Sequence, residues 1–167
     1  MNHLLCCFLL AVSLTTFGQE IKTVSYLDAS QKPTYFNLQS GKSLTEEEAK
    51  TSSWDIALQK TTISVNSGTS GSGHVQAQVI ATAFDQLTKA PIDGYKSDSD
   101  QSKAIPTGSG NGWYKYNSED HSITPLPGKV ILIKSESGAV YKLDIQDYYS
   151  KDGSASGVYS FRYALLN

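Results

Sequence analysis

Two histidines, His74 and His121, carry the chemistry most available to this chain. Imidazole ligates transition metals and exchanges protons near neutral pH. His74 ends the Gly/Ser-rich run Asn66-Ser67-Gly68-Thr69-Ser70-Gly71-Ser72-Gly73, and His121 follows Asp120 just before Ile123-Thr124-Pro125. Both positions read as loops, where ligand-gripping side chains concentrate. A nucleophilic triad finds no support. No Gly-x-Ser-x-Gly elbow occurs, and Asp120-His121 is a neighbour pair rather than an oriented one. Gly108-Ser109-Gly110-Asn111-Gly112 and Gly71-Ser72-Gly73 lack the following helix whose N-terminus would hold a phosphate. Asp98-Ser99-Asp100 opens like a calcium loop, but Lys103 stands where the sharp-turn glycine belongs and Ser109 where a bidentate Glu belongs. No pair of carboxylates is singled out for glycosidic chemistry. The chain is therefore expected to bind rather than to catalyse.

Aromatic side chains give the second signal. Ten tyrosines lie beyond residue 18, together with Trp54, Trp113, Phe36, Phe84 and Phe161. Most of them, such as Tyr159, Phe161 and Tyr163, recur at the spacing of a strand face and read as core. Trp113-Tyr114-Lys115-Tyr116 differs because it follows a Gly-rich loop. Aromatic rings at such a place suit a flat apolar ligand.

The elements that must position these residues are mostly strands. Val130-Ile131-Leu132-Ile133 is a short β-branched run of the kind that is buried on both faces. Residues 139–145 alternate, with Val140, Lys142 and Asp144 on one face and Tyr141, Leu143 and Ile145 on the other. Tyr159, Phe161, Tyr163 and Leu165 alternate in turn with Ser160, Arg162 and Ala164. Turn signals at Glu136-Ser137-Gly138 and Lys151-Asp152-Gly153 make these three segments an antiparallel meander. Val75 to Ala83 forms another alternating strand. Trp54, Ile56 and Leu58 share a parity that Ile63 and Val65 reverse, which predicts a bulge or bend near residues 60–62. Helix is scarce. Residues 44–50 suit a short helix capped by Ser43 with Glu46 in capping-box spacing, and 84–87 a further turn. Residues 66–73 read as a flexible connection, and 97–112 as a polar loop. The expected fold is all-β: an antiparallel sheet framework with projecting loops and at most one or two short helices.

Composition narrows the class further. Fourteen Lys+Arg against sixteen Asp+Glu give a net charge of −2, and Arg162 is the only arginine, so no nucleic-acid partner is expected. Residues 4–12 form an apolar run too short to span a bilayer and suited to a signal peptide. Cleavage is placed after Gly18, with Thr16 and Gly18 as the small residues, although the n-region carries no Lys or Arg. A lipid anchor is the second choice, because Cys6 and Cys7 lie at the start of the apolar run rather than after it. Cleavage leaves residues 19–167 without a thiol and with no transmembrane span, of a length that suits one β domain.

Several segments in order resemble the HmuY family, secreted or surface-attached haem-binding proteins of Bacteroidetes. They are Ser53-Trp54-Asp55-Ile56-Ala57-Leu58, the loop 67–73, Gly112-Trp113-Tyr114-Lys115-Tyr116 and Ile123-Thr124-Pro125. The match continues through residues 131–138, 141–149 and 157–163, and so covers most of the chain from about Gly41 onward. The resemblance implies an all-β fold and a hemophore-like carrier that captures haem outside the cell, at the outer-membrane surface or free, and delivers it to an outer-membrane haem receptor. It implies two axial side chains, His in some members and Met in others. The single methionine is Met1, in the signal segment, so His74 and His121 are the expected axial ligands to the haem iron. Trp113, Tyr114 and Tyr116 would pack on the porphyrin and nearby lysines would meet its propionates. Tyr114 or Tyr116 as a tyrosinate ligand is a weaker option. The alternative is a secreted protein of the HmuY fold that does not ligate haem and binds another ligand or a surface partner.

Overall fold

The computed structural model describes residues 19–51 and 53–166. Residues 1–18, where a signal peptide is expected, lie outside the described residues. The chain opens with β1 (Ile21–Asp28), β2 (Thr34–Asn37) and β3 (Lys42–Leu44), then a one-turn helix α1 (Glu46–Ala49). A hairpin of β4 (Ile56–Gln59) and β5 (Thr62–Val65) leads to β6 (Gln76–Ala81) and a 3-10 turn at Phe84–Gln86. A small hairpin of β7 (Tyr114–Tyr116) and β8 (Ile123–Pro125) follows. The chain ends in the meander β9 (Lys129–Lys134), β10 (Val140–Tyr149) and β11 (Ser156–Leu166).

Two antiparallel sheets carry the fold. One has the order β1-β11-β10-β9-β6, the other β3-β2-β4-β5. Their facing sides share a core in which Phe36, Ile56, Leu58, Ile63 and Val65 meet Ile131, Ile133, Leu143, Phe161 and Tyr163. Phe36 packs edge-on to Phe161 across the layers, with centroids 5.5 Å apart. The meander appears as the alternation predicts, and β9 shows why its run is unbroken. Odd residues Ile131 and Ile133 enter the shared core, while Val130 and Leu132 lie under Phe84 and Leu87 on the other face. A strand buried on both sides has no place for a polar residue. Lys142, on that second face, is buried too. Its ammonium donates to the carbonyls of Phe84 and Leu87, each at 2.8 Å, and so ties the segment after β6 to the sheet.

Four local expectations need correction. Residues 60–62 hold a reversal rather than a bulge. β4 and β5 pair with Gln59 opposite Thr62, and Lys60 takes a left-handed φ of 48° in the tight turn between them. A two-residue turn sets even positions of one strand against odd positions of the other, which is the parity change itself. The cap of α1 is Thr45 with Glu48, two residues later than expected. β1 and β3 are largely exposed and β2 has only four residues, so these strands carry little hydrophobic alternation and the sequence pattern does not predict them.

The Gly/Ser loop is, fourthly, not slack. It winds around buried Asn66, whose amide donates to the Trp54 carbonyl at 3.0 Å and accepts from the Gly73 N–H at 3.1 Å. A Cβ at Gly71 would lie 2.1 Å from the Asn66 Oδ1, and one at Gly68 1.7 Å from the Asp98 carbonyl. Glycine here permits close approach. Asp98 itself is a buried anchor: it accepts from the N–H groups of Val65 and Ala104 and from the Ser70 hydroxyl, with Lys103 3.3 Å away.

Candidate functional site

The β7–β8 hairpin carries four of the five candidate residues: Trp113 at its base, Tyr114 and Tyr116 on β7, and His121 in its turn. Tyr114 faces Pro125, Lys115 faces Thr124 and Tyr116 faces Ile123. Its base is fastened at several points. The Trp113 carbonyl accepts from Leu126 N–H at 2.8 Å, Ser109 Oγ accepts from Tyr116 N–H at 2.9 Å, and Tyr149 Oη accepts from Ile123 N–H at 2.8 Å. The connecting residues 117–122 turn on side-chain hydrogen bonds: Asn117 Oδ1 accepts from Glu119 N–H and Asp120 Oδ1 from Ser122 N–H, both at 3.0 Å. The Ser122 hydroxyl and N–H hold the Asp120 carboxyl below the usual carboxylate range, with a smaller contribution from His121. His121 takes a left-handed φ of 60°, which aims its ring back over the hairpin. There its Nδ1 meets the hydroxyl of Tyr116. Nδ1 being engaged, Nε2 is the nitrogen left to a ligand. A cleft of about 660 Å³ lies against the hairpin, lined by Lys115, Tyr116 and the residues 124–127 among others.

Trp113 and Tyr114 lie deeper than expected. Trp113 is 2% exposed and its ring packs against Tyr114, Tyr148 and Tyr159. Its indole N–H donates to the Thr61 carbonyl at 3.1 Å, while the Tyr159 hydroxyl donates to the neighbouring Lys60 carbonyl. These two bonds take up the carbonyls of the β4–β5 turn. Tyr114 is also buried, and burial pushes the hydroxyls of Tyr148 and Tyr159 up from the usual tyrosine range. Of the three aromatic candidates, only Tyr116 is exposed.

His74 is placed elsewhere. Its Nδ1 lies 2.8 Å from Glu136 Oε1 and its N–H donates to Glu136 Oε2 at 2.6 Å, in the turn between β9 and β10. Those two bonds hold the Glu136 carboxyl below its usual range. His121 instead sits near Tyr149, at the far end of β10. A ten-residue strand spans about 30 Å at the usual rise. The structure therefore does not bring His74 and His121 together, and the two rings cannot reach one iron in this arrangement. The antiparallel pairing of β6 and β9 is the cause. Gln76, just after His74, pairs with Lys134, while the β7–β8 hairpin feeds the opposite end of β9 at Lys129.

A family model for HmuY protein matches residues 29–163. The chain belongs to the HmuY family. Among solved structures, apo PinO of Porphyromonas gingivitis aligns with a TM-score of 0.64 at 18% identity, covering 90% of this chain and 99% of that one. An HmuY-like protein of Bacteroides vulgatus, described as haem-binding, aligns at 0.57 and 16% identity, covering 86% and 89%. The apo HmuY analog of Tannerella forsythia aligns at 0.53 and 16%, covering 89% and 96%. No curated protein matches the sequence. At these identities the structures establish a shared HmuY-like, mostly antiparallel β fold. The signature Ser53-Trp54-Asp55-Ile56-Ala57-Leu58 serves that fold. Asp55 Oδ2 accepts from Leu38 N–H at 2.7 Å, Trp54 donates to the Ala49 carbonyl at 2.8 Å, and Ile56 and Leu58 are core. No helix among the described residues is long and apolar enough to cross a membrane.

Proposed function

We propose that this HmuY-family protein is an extracellular haem-binding carrier whose site is the β7–β8 hairpin and its cleft, with His121 as axial ligand through Nε2. The observation that carries the reading is the His121–Tyr116 pair: an exposed imidazole whose Nδ1 is engaged by Tyr116, a residue that itself lines a cleft of about 660 Å³. A hydrogen-bond partner at one ring nitrogen fixes the tautomer and the orientation of the other, as metal-ligating histidines generally require. The donor set thus fits haem on one side. Haem, when bound, supplies an iron that accepts an axial imidazole, and the protein's task is to hold it without reaction. Tyr116 offers the exposed ring of the site, Lys115 a cation for a propionate, and Trp113 and Tyr114 support the hairpin from the core. In this reading the apolar run 4–12 directs export, and an outer-membrane receptor takes the haem onward.

The alternative, a binder of the same fold without haem ligation, is favoured by one specific observation. His74 stands at the other end of the sheet, so the described residues offer no second histidine to the same iron. A Soret titration with hemin separates the two. The carrier reading expects a saturable, shifted band that His121→Ala abolishes and His74→Ala leaves intact. A wild-type chain with no band above free hemin establishes the alternative, and a band that survives His121→Ala overturns the ligand assignment.

A further inference from the structure

At the end of the molecule where His74 lies, turns from the two sheets face each other across a cleft of about 300 Å³. The end of β2 and the turn after it supply Asn37 and Gln39, and the turn between β9 and β10 supplies Ser135, Glu136 and Ser137. Asp55, just before β4, completes the lining. It is only 4% exposed, yet it enters none of the ion pairs among the described residues. Asp98, the other buried carboxylate among them, has Lys103 at 3.3 Å. An ionised carboxylate is costly to take out of water, and buried ones are as a rule paired with a cation.

The two oxygens of Asp55 differ. Oδ2 accepts from Leu38 N–H at 2.7 Å, while Oδ1 accepts from no described residue. Nor is Oδ1 sealed in the core, since the fully buried side-chain atoms without a partner among the described residues are Ser67 Oγ and Tyr95 Oη. Oδ1 is thus the oxygen left to the cleft. The surroundings add negative charge. Burial raises the Asp55 carboxyl, and the charge of Glu136 raises it further against the pull of the Leu38 N–H. Burial and then the Asp55 charge push up the Tyr141 hydroxyl behind it. Neither Lys nor Arg lines the cleft.

The acceptors decide the kind of cation. Both Glu136 oxygens are taken by His74, and the Asn37 amide is spent on the Ser53 carbonyl and the Ser40 N–H. What remains is one carboxylate oxygen, the hydroxyls of Ser135 and Ser137, 3.0 Å apart, and the Gln39 amide, which bonds to no described residue. Calcium takes about six to eight oxygens. No group of three or more metal-ligating side chains occurs among the described residues. A primary ammonium carries three N–H donors on a compact head, and one carboxylate oxygen with two neutral acceptors satisfies it.

We propose that this cleft binds a primary ammonium group, its head on Asp55 Oδ1 and its alkyl stem between the two turns. A free alkylamine and a lysine side chain of another protein present the same head. The site is independent of the hairpin, so a failed hemin titration does not touch it.

The probe is butylamine at pH 7, titrated by heteronuclear NMR at constant ionic strength. Butanol serves as the neutral analogue and tetramethylammonium as the cation without N–H donors. Saturable shifts centred on Leu38, Asp55 and residues 135–137 are expected with butylamine and with neither analogue. Asp55→Asn keeps an acceptor for Leu38 N–H, and it is expected to weaken binding about tenfold or more, since a hydrogen bond to a charged group is lost. Glu136→Gln is expected to weaken it by a smaller factor. Tighter binding of Nα-acetyllysine methylamide than of butylamine supports the site with a protein lysine as its source, and the reverse order supports it with a free amine. Equal response to either analogue, no saturation in the wild type, unchanged affinity in Asp55→Asn, or displacement of butylamine by calcium overturns the proposal.

Discussion

Replacing Asp98 by alanine removes a fully buried carboxylate that four groups address. Val65 N–H, at 3.2 Å, and Ala104 N–H, at 2.8 Å, are buried donors that lose their acceptor. Each stranded donor costs about 1–3 kcal/mol. The Ser70 hydroxyl, at 2.6 Å, loses its acceptor but lies only part-buried and still accepts from Lys103 Nζ, so its loss costs less. The Lys103 side chain is 30% exposed, so solvent screening keeps the loss of that ion pair small. The sum is about 3–5 kcal/mol, the range seen when one partner of a buried charged pair is removed. With a urea m-value of about 2 kcal/mol/M, the unfolding midpoint falls by about 1.5–2.5 M. Asp98→Asn should fall between, because the amide oxygen still serves Ala104 while its NH₂ faces Val65 N–H and Lys103. Equilibrium urea unfolding followed by tryptophan fluorescence reads all three proteins. A drop of less than about 1 kcal/mol for Asp98→Ala, at unchanged m, would refute the assignment of Asp98 as the anchor of these loops.

Other perturbations follow from the same geometry. Gly71→Ala sets a methyl 2.1 Å from Asn66 Oδ1 and 2.8 Å from the Trp54 ring, and thermal melts should show an overpacking loss of about 1–3 kcal/mol. Burial pushes the Asp55 carboxyl above its ordinary 3.8, against the pull of the Leu38 N–H. The folded state then holds that proton longer than the unfolded one, so stability falls as pH rises from 3.8 through the raised folded value. Asp55→Asn keeps an acceptor for Leu38 and escapes this loss, so melts across that window should increasingly favour the variant; a pH-independent difference would contradict the argument. Asp152, in the turn between β10 and β11, is held down to about 2 chiefly by the Ser150 hydroxyl and then by Ser154. Ser150→Ala should raise its midpoint toward 3.8 in a carboxylate NMR titration.

Strand patterning was legible wherever burial imposed it. The meander of β9, β10 and β11 could be read because each strand has a core face, and period-two alternation is the direct consequence. The exposed edge strand β1 gave no such signal: of its eight residues only Val24 and Leu27 are half-buried, and Tyr26, at φ 57°, marks a register shift within the strand. The cap of α1 was misplaced because Ser43 and Thr45 both stand three residues before a glutamate. Thr45 and Glu48 form the box, while Ser43 pairs within β3. The Gly/Ser loop was misjudged for a deeper reason. Composition counts glycines but does not say what they approach, and here they approach Asn66 and Asp98, both buried.

The candidate site shows what spacing along a chain can and cannot decide. His74 and His121 were both recognisable as loop residues, and each has a side-chain partner at Nδ1, Glu136 and Tyr116 respectively. His121 and Tyr116 lie five residues apart across a short hairpin, so their meeting depends only on local pairing. Whether His74 joins them depends on the sense of two strands distant in sequence. His74 precedes β6, and His121 lies on the hairpin that leads into β9. Parallel neighbours would set both entry points at one end of the sheet. β6 and β9 are antiparallel neighbours, with Gln76 opposite Lys134 and Ala81 opposite Lys129, so the two entry points are forced to opposite ends. That single pairing separates the histidines, and it makes the hairpin, with one imidazole and one exposed tyrosine, the unit on which ligand binding is to be tested.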